Sequence, residues 1–141
     1  MRRGVTLAEL MVVCTLLAVA AGIAAPRARG VLDGIRLRQA AHEVSSALML
    51  ARAAAIRRGE RVRLVIDAAH GAIRIEAGVD TLHRRNLRAM HRVAVRASRD
   101  TITFAPTGMG FGVANSTIIV SIAQRAETVT VSRLGRARTS Y

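Results

Sequence analysis

The chain has 141 residues, room for one domain, and 51% of them are hydrophobic. All 22 basic residues are arginine, against 9 acids, and the net charge of +13 favours polyanions such as nucleic acid or anionic lipid heads. Only three aromatics occur, Phe104, Phe111 and Tyr141, which argues against a surface that stacks unpaired bases. The single cysteine, Cys14, excludes an intrachain disulfide.

Residues 10–25 carry no charge, and Arg2 and Arg3 precede them, so the positive-inside bias keeps the extreme N-terminus in the cytoplasm. Val5 to Ala25 as a helix would span about 31 Å, enough to cross a bilayer core. Three readings compete. A secretory signal peptide cut near Ala25 would leave Pro26 directly after the cut and Ile23 where a small residue is wanted. A plain signal anchor leaves Glu9 unexplained, because a carboxylate carried to the bilayer centre costs about 2.5–3.5 kcal/mol. At the interface Glu9 would cost little and would suit the positive end of a helix dipole.

The third reading rests on Gly4-Val5-Thr6-Leu7-Ala8-Glu9-Leu10, which resembles the class III signal of type IV prepilins and type II secretion pseudopilins. The family prefers Phe where Val5 stands and a larger aliphatic where Ala8 stands. The resemblance implies cleavage after Gly4 by a membrane prepilin peptidase and methylation of the new N-terminus on Val5. Glu9 is then the fifth mature residue, where the family keeps its glutamate. Pro26 is the twenty-second, where many members bend the helix. A carboxylate buried among bundled helices must be paired. The implied partner of Glu9 is the Val5 amine of a neighbouring subunit, a contact that would fix axial register. Other major and minor pilins and the inner membrane are the implied partners, with the globular part in the periplasm.

After the apolar segment, Asp33 is expected to cap a helical stretch over residues 33–58. Ile35, Leu37, Ala41, Val44, Leu48, Ala51 and Ala55 mark its apolar face, and Gly59 fits a C-cap. This stretch and the membrane helix are expected to form one long helix, bent or loosened near Pro26 and Gly30. Strand patterns follow. Val62, Leu64 and Ile66 alternate, His70-Gly71 reads as a hairpin turn, and Ile73 and Ile75 point inward. Ile102 with Phe104, and Val129 with Val131, repeat the pattern. Residues 117–123 are apolar on both faces, as a central strand would be, and Gly108, Gly110 and Gly112 make a flexible connection. Arginine-rich residues 78–99 read as a loop with one strand near Val93–Ala97. The fold class is α+β and pilin-like: a long N-terminal helix, half transmembrane and half amphipathic, packed on an antiparallel sheet. The boundaries are a leader at 1–4, a membrane and filament-core helix at 5–29, and a globular domain at 30–141.

Three segments carry a finer resemblance, SSALMLARAAAIRRGERVRLVI, ITFAPTGMGFG and VTVSRLGRARTSY. They are similar to the minor pseudopilins of the GspH/FimT branch, with its Ala-Arg pair, here Ala51-Arg52, and its Gly-Arg-x-Arg tail, here Gly135-Arg136-Ala137-Arg138. The resemblance implies a structural subunit of a type II secretion pseudopilus or type IV pilus. The alternative it implies is a DNA receptor in natural transformation. Arg125, Arg133, Arg136 and Arg138 would then contact the duplex backbone, independently of sequence and weakened by salt. A solvated basic tail is the plain reading of the same residues.

No catalytic constellation emerges, and no cofactor or metal is expected. Gly108-x-Gly110-x-Gly112 lacks the strand-to-helix setting of a phosphate loop. His42, His70, His83 and His91 lack zinc-site spacing. Ser45 and Ser46 sit on a helix without a glycine elbow. Chemistry is expected to be done to this chain rather than by it.

Overall fold

A computed structural model describes residues 6–111 and 115–140; Gly4, Val5, Gly112 and Tyr141 lie outside the described residues. The chain divides into two compact units, Met1–Gly34 and Ile35–Tyr141. Helix α1, Leu7–Arg58, contributes to both. It starts on Thr6, whose Oγ1 accepts the Glu9 N–H at 3.3 Å while its carbonyl accepts from Leu10 N at 3.1 Å. It ends at Gly59, where φ is 65° and the N–H donates to Ala55 O at 3.1 Å, the left-handed cap the sequence leads one to expect. The expected second start at Asp33 is absent: Pro26, Gly30 and Asp33 all lie inside α1. Proline removes one backbone donor, and the Ala, Leu and Arg residues flanking it are strong enough helix formers to carry the helix past.

In the first unit every described residue up to Arg29 is exposed. The second unit has a core. Leu37, Ala41, Val44, Leu48, Ala51 and Ala55 are buried as their spacing requires, joined by Ala40, Ala47 and Ala54. Ile35 is exposed instead, because coverage of the helix begins two residues later, at Leu37. Six of these buried side chains are alanine, so the helix backbone can lie close to the strands.

The strands are β1 (Val62–Asp67), β2 (Ala72–Ala77), β3 (Asp80–Asn86), β4 (Ala94–Ala97), β5 (Thr101–Phe104), β6 (Gly110–Phe111), β7 (Ser116–Ile122), β8 (Arg125–Val131) and β9 (Ala137–Ser140), with a short helix α2 (Leu87–His91) after β3. They form two antiparallel sheets rather than one, ordered β3-β2-β1-β5-β6 and β4-β7-β8-β9. Alternation reveals which face of a strand is buried but not which strand lies beside it, so the division was not readable. Val62, Leu64, Ile66, Ile73, Ile75, Ile102, Phe104, Val129 and Val131 all enter one core shared with α1. Strand β7 is interior to its sheet as expected, yet only one face is covered: Ser116, Ile118 and Val120 are buried while Ile119 is exposed.

Residues 78–99 are more ordered than a loop. Strand β3 is an edge strand with no fully buried residue, so it carries no apolar alternation to detect. Helix α2 is capped by Asn86, whose Oδ1 accepts from Ala89 N at 3.0 Å, and it buries Leu87 and His91 one turn apart. The expected flexible connection holds β6, and the tail holds β9.

Candidate assembly and anion-binding surfaces

Glu9 occupies the third position of α1 and is exposed. Its N–H is bound by Thr6, so Thr6-x-x-Glu9 has the spacing of a capping box. Sequence reasoning assigned Glu9 and passed over Thr6, although Thr three residues before Glu at the head of an apolar run was the available signal. Thr15 Oγ1 donates to Met11 O at 2.8 Å, which satisfies the hydroxyl within the helix, as an apolar solvent requires. By length and composition α1 can cross a membrane. Pro26 is exposed in the helix interior.

The tail arginines divide into two groups. Arg125 opens β8 opposite Ile122, while Arg138 stands opposite Thr130 near the other end of the strand. A seven-residue strand is about 20 Å long, which separates Arg125 from Arg133, Arg136 and Arg138. Arg136 and Arg138 do share a side, as their spacing predicts: with Thr130 and Ser132 they line an open cavity of about 400 Å³.

The three segments that carried the finer resemblance meet in space. Gly108 has φ +76° and Gly135 has φ +70°, conformations that favour glycine. A Cβ on Gly108 would fall 2.7 Å from Ile56 Cδ1 and 3.1 Å from Arg52 Nε. A Cβ on Gly135 would fall 2.6 Å from Gly108 O and 3.4 Å from Arg52 Cδ. Gly110 N donates to Arg133 O at 3.0 Å, linking the start of β6 to the turn before β9. Arg52 lies beneath both turns, with Nε buried and hydrogen bonded to no described residue. Sequence reasoning noted these motifs separately; nothing in their spacing placed them together.

Most of the other carboxylates of the second unit are paired. His91 Nε2 lies 3.2 Å from Glu43 Oε1, half-enclosed between α2 and α1. Asp67 accepts from the His70 N–H at 3.0 Å and faces its ring at 2.9 Å. The backbone donor first, and the ring second, hold the Asp67 carboxyl below its ordinary value. Among the described residues no three His, Cys, Asp or Glu side chains gather as a metal site would need.

Comparison with known proteins agrees with this architecture. The minor pilin FimU of Pseudomonas aeruginosa superposes in two crystal forms. One has a TM-score of 0.64 at 17% identity over 74% of this chain and 88% of that one. The other gives 0.63 at 14% identity, over 74% and 93%. The minor pseudopilin EpsH of the Vibrio cholerae type 2 secretion system gives 0.59 at 12% identity, over 74% and 96%. No curated protein sequence matches the chain, and neither the family descriptions nor these structures speak of DNA. A prokaryotic N-terminal methylation motif matches residues 1–25. The family of type II transport protein GspH matches residues 40–135, most of the chain, which therefore belongs to that family as a minor pseudopilin or pilin.

Proposed function

We propose that the chain is a filament subunit made as a prepilin, cut after Gly4, methylated on Val5, and held in the inner membrane by the head of α1 until assembly. The globular part, residues 30–141, then works in the periplasm. One observation carries this reading: the fully exposed apolar run of α1 from Leu7, headed by a lone carboxylate at Glu9. Such a surface needs lipid or neighbouring helices around it. Inside a bundle Glu9 must find a cation, and the amine of Val5 on the next subunit would supply one. The experiment is N-terminal sequencing and intact mass of the membrane-extracted chain, beside Glu9→Gln. A mature N-terminus at Val5, with Glu9→Gln processed but excluded from filaments, is expected. A chain beginning at Met1 or Pro26 would overturn the reading.

A second reading, contact with duplex DNA, rests on the shared side of Arg136 and Arg138, with Arg133 nearby and Arg125 apart from them. Arg136→Ala with Arg138→Ala should then lower binding and its salt slope by about one unit per lost phosphate contact. Equal binding by the variant removes this reading.

A further inference from the structure

The junction beneath which Arg52 lies also presents an apolar patch. Ile56, Met109 and Leu134 are 53%, 49% and 60% exposed. Ile56 Cδ1 touches Gly108, Met109 follows Gly108, and Leu134 precedes Gly135, whose Cα faces the Gly108 carbonyl. Three exposed, large apolar residues from α1, the β5–β6 turn and the β8–β9 turn thus come to one junction, where two glycines interlock. Three arginines lie at this junction: Arg52 below it, and Arg133 and Arg136 on either side of Leu134 in the chain. No ion pair among the described residues includes any of the three.

We infer that this patch docks a different, acidic subunit of the filament, with Ile56, Met109 and Leu134 in its centre and a partner carboxylate on Arg52. The inference rests on the filament reading above. Charge decides the occupant. A second copy, without Arg2 and Arg3 after cleavage, brings 20 arginines against 9 acids, few of them free. Glu43, Glu60, Asp67, Glu76 and Asp80 are already paired with this chain's own bases, and Glu127 is 5% exposed. Two copies would bring arginine against arginine at the rim, a repulsion that disfavours self-stacking. A partner with carboxylates beside an apolar face satisfies both parts of the patch, and guanidinium forks suit carboxylates.

The test uses the full-length chain in its own cells, with a photoreactive side chain at Leu134 or Met109 and a control at Thr128. The expected adduct joins the patch to a membrane-anchored subunit whose soluble part is net negative. Leu134→Glu, which keeps the fold because the site is exposed, should lower adduct yield from Met109 by about tenfold or more, and Leu134→Arg far less. Arg52→Gln should weaken it and Arg52→Lys partly restore it. An adduct between two copies of this chain, a partner without net negative charge, equal effects of Glu and Arg at 134, or adducts from Thr128 alone would each overturn the inference. If the N-terminus begins at Val5 and these outcomes occur, the inference falls and the filament reading stands. If the N-terminus is unprocessed, both fall.

Discussion

The two units use one helix in two solvents. Up to Arg29, α1 exposes every described side chain, and its apolar residues run round the whole helix. From Leu37 the same helix is amphipathic and buries a narrow, alanine-rich stripe against two sheets. A helix that is apolar all round has no use for water on any side, whereas a striped helix needs one dry face only. Apolar content alone does not distinguish a core from an anchor; its angular distribution does.

That contrast can be broken from either side. The largest effect is expected at Phe104, which is fully buried in the shared core. Phe104→Ala should cost about 3–5 kcal/mol in urea unfolding of the detergent-solubilised chain, while leaving membrane retention unchanged. Leu16, near the middle of the exposed apolar run, should behave in the opposite way. Leu16→Arg should raise the cost of membrane insertion by about 3 kcal/mol, read from the inserted fraction, and leave the urea midpoint where it was. If Leu16→Arg moved the midpoint, or Phe104→Ala released the chain from the membrane, the two units would not be independent in the way their burial implies.

The core was legible because alternation and helical spacing are direct records of burial. Val62, Leu64 and Ile66, or Val44 and Leu48, could be placed from their intervals alone. Strand β3 was not legible, since an edge strand rich in arginine leaves no alternating record. The junction was missed for a different reason. Arg52, Gly108 and Gly135 are far apart in the chain, and only the register of two hairpins brings them together. Gly135→Ala tests that junction. The positive φ and the close Gly108 carbonyl should make it cost about 1–3 kcal/mol, more than an exposed turn residue warrants. A neutral Gly135→Ala would mean that the two turns do not depend on each other.

The smallest expected effect lies at the β1–β2 turn and sharpens the comparison by asking whether any exposed contact of the second unit matters. Asp67 accepts from the His70 N–H, which lowers its carboxyl pKa in the folded chain. A depressed carboxyl pKa contributes stability that is present above the unfolded value, near 4, and is lost as pH falls through the lower folded value. The melting temperature of the full chain should therefore exceed that of Asp67→Asn at pH 5, and the gap should narrow as pH falls below about 4. The contact is open to water, so the gap at pH 5 should be small beside the core and junction effects. A gap that does not narrow below about pH 4 would assign it to the shape of the turn, in which Gly71 sits at φ +62° against Arg88, rather than to the charge on Asp67.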